Sequence, residues 1–467
     1  MKQYPLLALI ILCACTTGAP EPYGALPLPE QLEWQKMEMN MFVHFGPNTF
    51  SGKEWGDGTE AEDMFNPTCM DCRQWASIAS AAGFKGIIIT AKHHDGFCLW
   101  PTSTSTHSVA AGTWRDGRGD VLRDLSEACR EQGLKFGVYV SPWDRNHPSY
   151  GTEEYNALYA KAVEEVHTGY GEVFEHWFDG ACGEGPAGKK QVYDWPLFHS
   201  TVRKYSPHAI MFSDVGPGCR WMGNERGRAG VTNWSRLNTE GFEPGAGAPP
   251  IDTLQQGNVH GKEWVPAETD VSIRPGWFWK ESENNRVKTA QELMDIYYSS
   301  VGRNSLLLLN VPPDDRGLIH PADSAALMEF RRMREEAFAC DLTEGATVSA
   351  SAERGRKFRA ENVLDRDYDS FWAVPDDILT PSLEISLPAE VRVGRILLQE
   401  YIPLGQRVAA FELDAWTDAG WKTVSSGTTI GYNRILLLDS PVQTSRLRLR
   451  ITRSLACPVL NRLMLLS

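Results

Sequence analysis

Asp179, in the run Trp177-Phe178-Asp179-Gly180, is the residue from which a chemistry can be built. It ends an apolar stretch, and Gly180 lets the chain turn sharply away from the carboxylate. An aspartate after a strand is often only a turn former or helix cap. Here it has company at other strand ends: His44 in His44-Phe45-Gly46, Glu54-Trp55 beyond it, and Lys92-His93-His94-Asp95-Gly96-Phe97. Tyr139-x-x-x-Trp143-Asp144 follows. Three histidines, several tryptophans and carboxylates gathered in this way describe a polar pocket with aromatic walls. Such a pocket suits a small, hydroxyl-rich ligand. A metal site built from His44, His93, His94 and Asp179 is the sharp alternative. The adjacent His93 and His94 start in different directions, and no His-x-x-x-His or His-x-His pair exists. Hydrogen bonding is favoured over ligation, and no metal or other cofactor is expected.

The elements that must position these groups follow a repeating pattern. Met39–Val43 reads as a strand, and Trp75, Ile78, Ala79 and Ala82 give a helix with one apolar face, stopped by Gly83. Strand Gly86–Thr90, a helix through Val121, Leu122, Leu125 and Cys129, and strand Leu134–Val140 repeat the cycle. A helix through Tyr155–Val166, strand Val173–Phe178, helix Trp195–Tyr205 and strand Ala209–Ser213 follow. A sixth strand is placed near Val231–Trp234, with further strands at Val271–Ile273 and Leu306–Leu309 and a helix at Ala290–Val301 between them. Seven or eight such units predict a (β/α)8-like barrel over residues 30–340, with the site at the ends of its strands. A doubly wound sheet is disfavoured because no Gly-rich phosphate loop follows the first strand. After Cys340 short alternating runs such as Arg446–Ile451 predict a β-sandwich over residues 341–467.

Composition narrows the function classes. The chain of 467 residues carries a formal charge of −14, which excludes a nucleic-acid partner. Lys2 precedes the apolar run Leu6–Leu12, too short to span a bilayer and suited to a signal peptide over residues 1–14. Leu12-Cys13-Ala14-Cys15 resembles a bacterial lipobox cleaved before Cys15. Export to the periplasm or as an outer-membrane lipoprotein is therefore expected, with a linker over residues 15–29 and membrane contact only through that lipid. The remaining eight cysteines are too irregular for a disulfide framework, and Cys69-x-x-Cys72 is read as a local disulfide or two free thiols.

Together, these five motifs, in order and at barrel spacing, resemble the α-L-fucosidases of glycoside hydrolase family 29 from about residue 30 to 335. The resemblance implies a secreted, retaining exo-fucosidase acting on a fucosylated oligosaccharide, with Asp179 as nucleophile. It implies that His44, Glu54, Trp55, His93, His94 and Tyr139 contact fucose, and that Trp277 packs on its methyl group. Arg220–Glu225 and Val271–Trp277 resemble the branch selective for α-1,3 and α-1,4 linkages, where Glu225 would be the acid/base. Glu240 and Glu184 compete with it. Trp143 joins the pocket wall, and Asp144, Glu184 and Trp221 are assigned to the sugar beyond fucose. Glu361–Ala373 resembles the opening of discoidin-like carbohydrate-binding modules. A non-catalytic glycan-binding protein on the same scaffold is the alternative function.

Overall fold

The computed structural model describes residues Gly18–Ser467, so the expected signal peptide and lipobox lie outside the described residues. Eight parallel strands close into a barrel. They are β1 (Met39–Val43), β2 (Gly86–Lys92), β3 (Lys135–Val140), β4 (Val173–Trp177), β5 (Ile210–Ser213), β6 (Cys219–Trp221), β7 (Ala267–Ser272) and β8 (Ser305–Asn310). Each pairs with its neighbours in chain order, and β8 closes onto β1 through Met39–Phe42 opposite Leu307–Asn310. The near-continuous apolar runs of β2 and β8 reflect burial on both faces.

Local chemistry sets the helix ends. Asp71 accepts from Arg73 N at 2.9 Å to open helix Cys72–Ala82, and Gly83 closes it in the left-handed region at φ 88°. Asp120 and Gly133 do the same for helix Val121–Gln132. Each side-chain cap contributes about 1 kcal/mol. The apolar faces of these helices pack with Val43, Ile87, Ile89 and Val138 into the outer core. A second cluster fills the barrel itself, including Phe42, Ile88, Tyr139, Phe174, Trp177, Phe212 and Leu308.

The sixth strand is Cys219–Trp221, not Val231–Trp234. Residues 214–218 alone link β5 to β6, with no helix between them. Arg220 is fully buried and points out of the barrel. Its guanidinium donates to the carbonyls of Leu254 (2.9 Å) and Val265 and to Asn233 Oδ1 (2.8 Å). Those bonds knit the long β6–β7 excursion to the wall.

Beyond helix Pro321–Phe338, an antiparallel seven-stranded sheet begins at Thr347. Its longest strands, Ser382–Glu400 and Arg434–Ser454, are broken by register shifts, and their inward residues enclose a core around Trp372, Ile385, Ile396, Leu413 and Leu449. This domain docks at the N-terminal end of the barrel strands. Asn304 N donates to Asn433 O (2.9 Å), Ile435 N to Gly302 O (2.9 Å) and Ser235 N to buried Gln406 Oε1 (2.8 Å). The described part of the expected linker is pinned as well: Tyr23 N donates to Leu404 O, while Glu21 O and Gly18 O accept from Arg407 and Arg354. Cys69 and Cys72 are free thiols, like the other described cysteines.

Candidate active site

Asp179 stands two residues beyond the end of β4, after Phe178, at the C-terminal mouth of the barrel. Its carboxylate accepts from Tyr139 Oη at 2.9 Å and from Ala181 N at 2.8 Å. The Tyr139 proton is thereby fixed on the phenol, since burial and the Asp179 charge push its pKa far up. Beneath them Trp177 and Phe212 lie face to face at 3.7 Å and form a floor. Gly180 is required by a neighbour rather than a turn, because a Cβ there would lie 2.4 Å from Gly245 N.

The hydrogen-bond network assigns the histidine tautomers. Ser141 Oγ donates to Trp143 O at 2.7 Å, so it can only accept from His94 Nδ1 at 2.8 Å. Asn310 Oδ1 is an acceptor, so His44 Nδ1 donates to it at 2.9 Å. Both rings therefore turn a bare Nε2 toward the mouth, ready to accept from hydroxyl groups. This explains why His94 Nε2 stands 3.6 Å from Asp179 Oδ2 and makes no close bond to it. Burial keeps the rings neutral, lowering His44 to about 3 and pushing His93 and His94 down as well. His93 stacks on Tyr139 with ring centres 5.6 Å apart.

Aromatic walls surround these groups. Trp143 packs on His94 at 4.7 Å and donates to Glu184 O at 3.1 Å, an approach that Gly183 permits by lacking a side chain. Trp55, 58% exposed, stands edge-on to both Trp143 and His94 at the rim. Trp277 leans on His44 at 5.0 Å. Glu54 fixes it by accepting from Trp277 N (2.8 Å), with Lys280 at 2.6 Å as counter-charge.

A cavity of about 300 Å³ opens beside Asp179, lined by Asp214, Trp221, Glu225 and Asp270. Glu225 follows β6, and its pKa is raised by partial burial and the Asp179 charge against the pull of the Trp277 indole. Three expected residues fall elsewhere. Glu240 is exposed and paired with Lys262 at 3.0 Å, and Glu184 is an exposed loop residue outside the cavity lining. Asp144 is buried and turned inward onto Lys92 Nζ at 2.8 Å; burial pushes its carboxyl up, but that ammonium overrides it and holds it low. A lysine buried at the end of β2 needs that counter-ion, which takes Asp144 away from any sugar.

Asp214 and Asp270 were not anticipated. Asp214 lies one residue after β5 and accepts from Gly245 N at 3.1 and 3.0 Å, with burial raising it to about 6. Asp270 is inside β7, just before the residues read as that strand. The signal for Asp214 was a carboxylate just past a strand end. Among the described residues, the groups close enough to share one ion are Glu175, Cys219 and Glu268 inside the barrel, rather than the histidines. Glu175 and Glu268 already accept from the Trp34 and Trp177 indoles, each at 2.8 Å.

The α-L-fucosidase family model matches residues 22–332, two thirds of the chain. The chain belongs to the α-L-fucosidase family, glycoside hydrolase family 29. It is thus a glycoside hydrolase, and a coagulation factor 5/8 type C domain matches residues 346–460. It is 43% identical to alpha-L-fucosidase 1 of Arabidopsis thaliana over 95% of this chain and 88% of that one. A glycoside hydrolase 29 family member from a rumen bacterium superposes with a TM-score of 0.85 at 39% identity, over 96% of this chain and 78% of that one. A Ruminococcus gnavus family 29 fucosidase in complex with fucose gives 0.88 at 30% identity, over 97% of both chains.

Proposed function

We propose that the protein is a retaining exo-α-L-fucosidase that releases terminal fucose from α-1,3- and α-1,4-fucosylated glycans. The carrying observation is the shared cavity: Asp179, held by Tyr139 and Ala181 N, faces the same space as Glu225, whose carboxyl is biased toward its protonated form. In this reading Asp179 attacks C1 while Glu225 protonates the leaving oxygen, and Glu225 then activates water to release fucose. The bare Nε2 atoms of His44 and His94 accept from ring hydroxyls, and Trp277, with Glu54 behind it, closes on the apolar side. Trp221 and the exposed Trp55 are the surfaces left for the next sugar. The barrel family and the fucose complex of a relative support the substrate.

Proton NMR during hydrolysis of a Lewis-type trisaccharide should show α-fucose forming before mutarotation. First-formed β-fucose would mean inversion and remove Asp179 as nucleophile. Glu225→Ala should lose ~10²–10⁴-fold on that substrate and far less on fucosyl fluoride, which needs little protonation. If Glu240→Ala shows that dependence instead, the acid lies there. We also propose export as a lipoprotein; intact mass of the membrane-extracted protein should show an acylated Cys15 as first residue, and an unmodified start at Ala19 or beyond would refute the lipid.

A further inference from the structure

Asp270 is one of four carboxyls in the cavity, with Asp179, Asp214 and Glu225. It is 2% exposed and sits within β7, with its backbone in register with Asp270's partner Leu308 on β8. Trp221 Nε1, on the neighbouring β6, donates to Asp270 Oδ1 at 3.0 Å. No ion pair reaches Asp270 among the described residues. The charged groups facing it are acids: Glu225 after β6, Asp179 after β4, and Glu268 two residues earlier on its own strand. Like charges gathered around one cavity disfavour each other's ionised form, and most strongly that of the buried Asp270. Asp179 has two donors from other residues; Asp270 has the indole, its own backbone N–H and no cation.

We propose that Asp270 is a positioning residue that works as a neutral acid, anchoring Trp221 in the wall beside Glu225 without adding a second permanent charge to the site. This rests on the proposed roles of Asp179 and Glu225. Burial, followed by Glu225, raises its pKa to about 8, so it keeps its proton through the range in which a general acid of raised carboxylate pKa titrates. Neutrality has a function. An ionised Asp270 would hold the proton on Glu225 when Glu225 must act as base in the second step. A neutral one leaves that proton free to move.

Asp270→Asn tests this, because an amide reproduces a protonated carboxyl: it keeps the acceptor for Trp221 and carries no charge. Its kcat on the Lewis-type trisaccharide should stay within about threefold of wild type, with the alkaline limb of the kcat/KM profile unmoved. Asp270→Ala should lose at least about tenfold through the released Trp221. If Asp270 works as an anion, Asp270→Asn removes a charge that props up Glu225, and the alkaline limb moves to lower pH. That shift, or a loss in the amide variant as large as in the alanine variant, overturns the proposal. Infrared difference spectra give a readout independent of turnover: the wild type should show a protonated-carboxyl band that bleaches near pH 8 and is missing from Asp270→Asn. Absence of that band also overturns it. A band that behaves as expected in a protein releasing no fucose would instead refute the catalytic reading.

Discussion

Ser141 decides what His94 can do. By spending its hydroxyl proton on Trp143 O, it forces the His94 proton onto Nδ1 and leaves Nε2 bare. Ser141→Ala releases that constraint, and the other tautomer then donates from Nε2 to Asp179 Oδ2, tying down the nucleophile. The cost is about one hydrogen bond, ~1 kcal/mol, so kcat/KM should fall roughly fivefold while thermal stability changes little. Unchanged kcat/KM in the variant would mean the tautomer is set by something else. At this scale the sequence was readable where a side chain had one place to go. His44, His93, His94 and Asp179 follow strand ends, Tyr139 is the penultimate residue of β3, and they converge. Asp144 obeys the same rule and still turns away, because the buried Lys92 ammonium beside it is a stronger demand than a sugar hydroxyl. No spacing in the chain reveals that competition.

Arg274 joins two elements that the site needs together. It follows β7 and makes an ion pair with Asp323 at 2.9 Å, in helix Pro321–Phe338, with both side chains fully buried. Three residues later comes Trp277, so the pair fixes where the loop over His44 begins. Arg274→Ala leaves Asp323 unpaired in the core, its carboxyl pushed further up, and should cost ~3–5 kcal/mol. Arg274→Leu combined with Asp323→Leu should recover much of that stability in chemical denaturation. If the double variant is no more stable than the single one, the pair is not the source of the loss. Elements with strong apolar periodicity were placed to within a few residues. β6 escaped because it has only three residues, and the middle one is an arginine whose buried hydrogen bonds face outward. A short strand held by polar contacts to a distant loop carries no periodic signal.

Across the molecule, the buried histidines make stability depend on pH. His44, His93, His167, His176 and His199 all have lowered folded pKa values, with burial as the first cause, His167 and His199 at about 4. The unfolded chain therefore binds more protons below about pH 6.5. The histidine contribution is flat above that pH and falls as pH drops toward 4, each ring giving up to about 1.4 kcal/mol per unit, while the raised carboxyls of Asp270 and Asp214 work in the opposite direction. Ring proton NMR shifts that titrate between pH 7 and about 5 would show that the rings are charged in the fold. The two-domain plan was visible in the change from helical to alternating texture, whereas the docking of the second domain was not, since it depends on single groups such as Gln406 and Asn304. That docking bears on geometry at a surface. The chain is fastened to the C-terminal domain from Gly18 onward, through Arg354, Arg407 and Leu404. A lipid on Cys15 would leave a tether of only three residues, at most ~11 Å when extended. The enzyme would then ride as a short-stemmed body with its second domain against the bilayer and the barrel mouth turned outward, drawing substrate from solution rather than from glycans in its own membrane.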